Sequence, residues 1–390
     1  MKAFKIKDNI YWVGGIDWDL RDFHGYTTER GSTYNSYLII DEKVVLIDTV
    51  KHYLFDEMIG RISSVINPEK IDYIIAQHVE MDHSGSLEKL LKLTPNAKII
   101  TSSFGEKGLQ KHFPGISSYN VVKTGDTLNI GKYSLSFIME TMVHWPDNMG
   151  TYLKDEKILF SQDAFGQHLA SYERFTKDFP KEILFEEAKK YYANIVLPYG
   201  GQVQKVMEMA SKIEIDMICP SHGLIWNSYI DEIVSKYNKW SKNEVDERAV
   251  IIYDTMWEST KKLAYAIAEV FEELNIPFDL LNLKVNNNSN IITKLIEAKY
   301  IAVGSPTLNS NILPTVSGFL TYMKGLAPKN RIGFAFGSYG WGGQSIGDVD
   351  KILSSIGFKM LPSFSCNYIP KIEDIEKLKT QLKEAISQLK

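Results

Sequence analysis

Residues 78–83 read His-Val-Glu-Met-Asp-His, and Ser84-Gly85-Ser86 follow directly. They begin where the β-rich run YIIAQ (73–77) ends, at the mouth of a loop that leads into a helical pattern. Four ligand-type side chains, His78, Glu80, Asp82 and His83, cannot all point one way on a strand or a helix, whose side-chain periods are 2 and 3.6. A tight loop can converge them around two adjacent metal ions. Read alone, the stretch also fits an exposed charged loop with two helix-capping residues. Three further positions weigh against that. His144 follows the run YSLSFIMETMV and precedes Trp145-Pro146, Asp163 ends the run KILFSQ, and His222 ends MICPS and precedes Gly223. Each stands just past a β-run, where catalytic side chains are commonly carried. Singly, either histidine reads equally well as structural and Asp163 as a turn or N-cap residue. The repeated layout is what argues for a shared site.

Outward from this cluster, the first 240 residues or so are short β-runs separated by turn signals: IYWVGGI (10–16), STYNSYLII (32–40), KVVLIDT (43–49), KIITS (98–102) and the pair around TYLKDEKILFS (151–161). Asp41-Glu42-Lys43 and Asp155-Glu156-Lys157 sit where hairpin turns belong. Helical patterns intervene near 52–66, 84–93 and 180–193. Hairpins mixed with helices imply stacked sheets covered by helices, an αββα sandwich.

From about Ala249 the rhythm changes. AVIIYDT (249–255), FDLLNLK (278–284), YIAVGSP (300–306), RIGFAFGS (331–338) and KMLPSFS (359–365) alternate with helical patterns near 260–274, 290–298, 314–325 and 346–355, and a long charged helix closes the chain. Near-continuous apolar strands in strand–helix units imply a doubly wound parallel sheet. The polar stretch NKWSKNEVDER (238–248) is the natural joint, so domains 1–248 and 249–390 are expected.

Three loops lie at the carboxyl edge of that second sheet, where a mononucleotide is expected. The first, Thr255-Met256-Trp257-Glu258-Ser259-Thr260, opens a helix. Its N–H groups and three hydroxyls suit a phosphate dianion, although Glu258 is an awkward neighbour unless it points away. The others are Gly304-Ser305-Pro306-Thr307-Leu308-Asn309 and Gly337-Ser338-Tyr339-Gly340-Trp341-Gly342-Gly343. Glycines let the backbone approach a flat ring, and Trp341 can stack on it. An ordinary core role for Trp341 is the alternative.

The bulk numbers agree. A chain of 390 residues is too long for one ordinary core. Its 44% apolar and 24% charged residues are those of a globular protein. A net charge of −4 without a Lys/Arg-rich run disfavours nucleic acid. Two cysteines, Cys219 and Cys366, form no C-x-x-C pair, which excludes a built-in rubredoxin or iron–sulfur cluster and fits a reduced compartment. With neither a signal-like start nor 18 successive apolar residues, a cytoplasmic protein without a membrane span is expected.

The ligand order resembles the metallo-β-lactamase superfamily: an H-x-[HE]-x-D-H cluster, then one His, a bridging Asp and a final His. Zinc hydrolases of that superfamily usually carry His where this chain has Glu80. Three carboxylates, four imidazoles and no thiolate favour a harder, redox-active metal such as iron. Asp163 is then the expected bridge, with His78, Glu80 and His144 on one iron and Asp82, His83 and His222 on the other. The second half looks like flavodoxin. Its FMN phosphate would meet Thr255, Ser259 and Thr260, and its ring would lie among Trp257, Pro306, Thr307, Tyr339 and Trp341. Met256, Glu258, Leu308, Asn309, Ser338, Gly340 and Gly342 complete the expected contacts.

The two halves in this order, together with Asp22-Phe23-His24-Gly25-Tyr26, resemble the flavodiiron proteins over nearly the whole chain. The resemblance implies reduction of O2 to water or of NO to N2O at a diiron centre. It also implies a separate soluble donor (rubredoxin or reduced coenzyme F420) and a head-to-tail homodimer, or a dimer of dimers, in which each FMN faces the partner's irons. His24 and Tyr192 resemble outer-pocket residues that would assist protonation. The rival reading is a dizinc hydrolase fused to a flavodoxin domain.

Overall fold

The computed structural model describes residues 1–389. Lys390, the last residue of the expected second domain, lies outside the described residues. The chain divides into two compact units: 1–24 with 28–192 and 201–238, and 25–27 with 193–200 and 239–390. The segments 25–27 and 193–200 group with the second unit although they precede the expected joint. No periodicity marks segments so short.

In the first unit, a seven-stranded sheet runs in chain order: β1 (Phe4–Lys7), β2 (Ile10–Trp12), β3 (Tyr37–Ile40), β4 (Val44–Ile47), β5 (Ile71–Ile75), β6 (Lys98–Ser102) and β7 (Tyr119–Val122). A five-stranded sheet follows, also in order: β8 (Thr127–Asn129), β9 (Ser134–Met139), β10 (Met149–Leu153), β11 (Ile158–Gln162) and β12 (Met217–Pro220). The hairpin at 41–43 joins antiparallel β3 and β4. Near 155–157, Lys157 takes φ 54° before β11 begins. Side-chain alternation along each strand fixes the layers. Ile39, Val45, Ile75 and Ile100 pack with Leu135, Phe137, Leu153 and Phe160 of the second sheet. Their neighbours Leu38, Leu46, Ile74 and Ile99 pack instead with Met58 and Ile62 of helix Phe55–Ser63 and with Leu87, Leu90 and Leu109.

Three helices, Ser103–His112, Gly200–Ala210 and Ile230–Ser241, fall where no helical pattern was recognised. In the first of them Gly105 and Gly108 read as breakers, yet they permit close packing. A Cβ on Gly105 would stand 2.0 Å from Thr101 Oγ1, and one on Gly108 2.9 Å from Val79 Cγ2, beside the metal-ligand loop.

In the second unit the main sheet is built from β13 (Asp246–Tyr253), β14 (Phe278–Asn282), β15 (Ala298–Gly304), β16 (Ile332–Tyr339), β17 (Lys359–Met360) and β18 (Phe364–Asn367), in the order β14-β13-β15-β16-β17 with β18 also on β16. All pairings in it are parallel. The run KMLPSFS, expected as one strand, is two short ones. Pro362 has no N–H for the ladder, so pairing stops after Met360 and resumes at Phe364. Among the described residues no helix is long and apolar enough to cross a membrane.

Candidate metal centre and flavin cleft

All seven expected metal ligands converge, from loops after β5, β9, β11 and β12. They form two groups, His78-Glu80-His144-Asp163 and Asp82-His83-His222, whose ligand atoms lie within 4.8 Å of one another in each group. Asp163 Oδ2 stands 3.2 Å from His144 Nε2 and 3.7 Å from His78 Nε2. Its other oxygen, Oδ1, stands 3.3 Å from His83 Nε2 and 3.5 Å from His222 Nε2. Glu80 Oε2 is 3.4 Å from both His78 and His144, and Asp82 Oδ2 is 3.3 Å from both His83 and His222. Most of these are long for charge-assisted hydrogen bonds. All but the His78–Asp163 and His222–Asp163 distances match atoms sharing one ion at about 2.1 Å, whose mutual separations are roughly 3.0–3.4 Å. His78 Nε2, His83 Nε2 and both Asp82 oxygens are buried without a hydrogen-bond partner. Stranding so many polar atoms in the interior is costly, and two cations would satisfy them. The residues fit a dinuclear metal site.

Electrostatics point the same way. Burial opposes charge on His78, yet the Asp147 and Glu80 carboxylates outweigh it and hold its pKa at about 10. Asp163 and Glu80 hold His144 at about 10, and Asp82 and Asp163 hold His83 at about 9, again against burial. Burial would raise Glu80 and Asp163, but the neighbouring histidines push both carboxyls well below their usual range. Without metal the cluster balances its carboxylates with protons, and metal binding displaces those protons.

A supporting layer, not identified from sequence, aims the ligands. Asp147 Oδ2 lies 2.8 Å from His78 Nδ1 and also accepts from the Val79 N–H at 2.7 Å. The Thr33 carbonyl lies 2.7 Å from His222 Nδ1, and the Ser221 hydroxyl donates to Asp163 Oδ1 at 2.7 Å. Such partners leave Nε2 to face the metal. The signal was available in part, since Asp147 lies three residues after His144. His168 packs 4.8 Å from the His222 ring, and burial pushes its pKa well down, so it stays neutral.

His24, with φ 56°, places Nε2 3.5 Å from Glu80 Oε1 on the exposed side. Tyr192 is elsewhere: its ring packs on Tyr237 at 4.9 Å. The tyrosine brought to the histidines is Tyr191, 5.1 Å from His168 and 5.9 Å from His222. Successive helical residues point about 100° apart, so only one of two adjacent tyrosines faces the cluster. Helix Lys181–Tyr191 runs straight into a π-helical turn, Tyr192–Val196.

In the second unit a cavity of about 500 Å³ is lined by Met256, Trp257, Ser259, Pro306, Thr307, Leu308, Asn309, Ser338, Tyr339, Gly340, Trp341, Tyr368 and Ile369. That volume suits a cofactor. Thr255 Oγ1 is buried without a partner at the head of the first loop, a fit for a phosphate oxygen. Trp257 and Trp341 are 89% and 95% exposed, so neither is a core residue. Thr255, Glu258, Thr260 and Gly342 do not line the cavity: the Thr260 hydroxyl pairs with that of Ser338 at 2.9 Å. Glu258 turns outward to Lys261 at 3.1 Å, which removes the expected clash with a phosphate. Tyr368 and Ile369 were missed because the broken fifth strand hid the loop that follows it. The Tyr368 N–H bonds to the Tyr339 carbonyl at 2.7 Å, which sets that loop against the cleft.

Fold and sites together define a class: a metallo-β-lactamase-like dinuclear metal domain joined to a flavodoxin-like domain. The ODP family beta lactamase pattern matches residues 33–223, and the Flavodoxin pattern matches 251–380. The chain is 42% identical to the rubredoxin-oxygen oxidoreductase of Megalodesulfovibrio gigas, covering 100% of this chain and 99% of that one. It is 39% identical to the nitric oxide reductase of Moorella thermoacetica (95% of each chain) and 39% identical to the coenzyme F420H2 oxidase of Methanothermobacter marburgensis (96% and 95%). The solved rubredoxin oxygen:oxidoreductase from Desulfovibrio gigas superposes with a TM-score of 0.97 at 42% identity, covering 100% of this chain and 98% of that one. The flavodiiron protein from Giardia intestinalis does so with 0.94 at 30% identity, covering 99% and 97%.

The chain belongs to the flavodiiron protein family. It is an oxidoreductase with FMN and a diiron centre as cofactors, and the hydrolase reading is not favoured.

Proposed function

We propose that the protein takes electrons from a separate soluble donor, rubredoxin or reduced coenzyme F420, and reduces O2 to water or NO to N2O. The observation that carries this reading is Asp163, whose two oxygens face two different ligand groups. The names of the three relatives support the substrates and donors. His78, Glu80 and His144 would hold one iron and Asp82, His83 and His222 the other, with Asp163 shared between them. FMN phosphate is assigned to Thr255, Ser259 and the start of helix Ser259–Glu273, and the flavin ring to the cleft between Trp257, Pro306, Thr307, Tyr339 and Trp341.

When bound, the irons and FMN supply the electron transfer. The side chains place the substrate and move protons. Four protons are consumed per O2 reduced to two waters, and two per pair of NO molecules reduced to N2O and water. To His24, exposed and beside Glu80, we assign the delivery of protons from solvent. Tyr191 is assigned the role expected of Tyr192. Burial, reinforced by Asp163, holds its hydroxyl well above the usual pKa, so it keeps its proton and acts as a hydrogen-bond donor. We also propose a cytoplasmic homodimer, in which a second copy covers the bare aromatic rim of the flavin cleft.

The test is anaerobic reduction of the purified protein with rubredoxin or reduced F420, followed by timed addition of O2 and of NO. Consumption of either gas, with two irons and one FMN per chain, is expected. A fully loaded protein that consumes neither, or one isolated with two zinc ions and thioesterase activity, would end this reading.

A further inference from the structure

Asp254, a carboxylate 1% exposed, directly follows strand β13 and stands one residue before the loop assigned to the FMN phosphate. Its Oδ1 accepts from the Thr255 N–H at 2.6 Å and its Oδ2 from the Thr315 hydroxyl at 2.5 Å. From the turn after β14, Lys284 donates from Nζ to the Thr255 carbonyl at 2.6 Å and stands 3.4 Å from Asp254 Oδ1. Among the described residues no other lysine or arginine pairs with Asp254.

We propose that Lys284 is a positioning residue for FMN, whose charge offsets Asp254 so that a phosphate dianion can settle on the adjacent loop. The proposal rests on the assignment of the phosphate to Thr255 and Ser259. A buried carboxylate repels a nearby dianion far more strongly than a solvated one, and hydrogen bonds from Thr255 and Thr315 fix Asp254 in place without adding positive charge. Lys284 adds it, and its second contact ties the cation to the backbone of the loop itself. The side chain of Lys284 is 52% exposed, so replacing it leaves the core intact. Two roles are separable here. A mechanical tie through the Thr255 carbonyl would serve any flavin, whereas a charge role serves only the phosphorylated one.

The experiment uses the full-length protein stripped of flavin and titrated with FMN and with riboflavin, following quenching of flavin fluorescence, for the unsubstituted chain, Lys284→Met and Lys284→Arg. The expected result is an FMN Kd raised about tenfold in Lys284→Met, with riboflavin affinity nearly unchanged and FMN affinity largely restored in Lys284→Arg. The deficit shrinks with added salt as the repulsion is screened. Equal weakening of both flavins, or an unchanged FMN Kd, would overturn the proposal. If the unsubstituted chain itself fails to prefer FMN over riboflavin, the phosphate assignment falls and this inference with it. A preference for FMN over riboflavin that is undiminished in Lys284→Met sinks this inference alone.

Discussion

In the first unit, the candidate metal ligands His78, Asp82, His83, Asp163 and His222 are buried, and the charges they carry are answered by one another. In the second, the two tryptophans flanking the flavin cleft are almost bare and make their case by shape. The difference follows from the guests. Small, highly charged cations need several fixed anionic and imidazole groups in a dry site, supported from behind. A flat organic ring with one charged tail needs a slot, a few backbone contacts and one well-placed phosphate loop. Substitutions in the first site should therefore behave as all-or-none losses, and those in the second as graded ones.

The largest effect expected is at Asp163, the residue shared by both metal groups. Asp163→Asn removes the charge and weakens both groups at once. Iron content should collapse and O2 or NO consumption fall at least about a hundredfold, while FMN absorbance per chain stays unchanged. An Asp163→Asn protein that keeps two irons would break the contrast. One step back, Asp147→Asn leaves every ligand present and loosens only the aim of His78. Iron affinity should drop about 10–100-fold, measured by competition with a chelator, again with FMN retained.

The third expectation concerns pH. In the iron-free chain His78 and His144 hold protons to about pH 10 and His83 to about 9. The unfolded chain releases them near pH 6.5. The folded state therefore binds more protons in that window, and their stabilising contribution is complete below about pH 6.5 and lost as pH rises through 9–10. Thermal melts of the iron-stripped chain should show stability falling over that range by an amount on the order of a few kcal/mol, with the loss removed by reloading iron. A flat profile for the iron-stripped chain would mean the cluster does not hold its protons as described.

How much was legible in the sequence follows the same division. The convergence of the seven candidate ligands was readable because chemistry restricts which side chains bind iron and because each follows a β-run. Asp147 and Ser221 were not, since a residue that acts on a ligand rather than on the metal carries no distinctive type or spacing. The adjacent tyrosines 191 and 192 could not be told apart without the phase of the helix, which the π-helical turn makes hard to infer. Helix Ser103–His112 hid behind two glycines that are there for close packing, as Gly108 against Val79 shows. In the flavin half, the parallel sheet and its first three loops followed from strand–helix alternation, but Pro362 split the last strand and concealed Tyr368 and Ile369.

Those two residues carry the smallest and most pointed expectation. Tyr368, 62% exposed and with φ 56°, lines the cleft from the loop after β18, and the nearby Gly340 backbone leaves room for its ring. Because it offers one face of contact among several, Tyr368→Ala should weaken flavin binding only a few-fold, worth roughly 0.5–1.5 kcal/mol. The loss should be equal for FMN and riboflavin, since the ring has no part in holding the phosphate. That equality separates Tyr368 from Lys284. Iron content should not change. A Tyr368→Ala protein that loses flavin altogether would show that the cleft, like the metal cluster, is held by a few indispensable groups, and the contrast between the two halves would fail.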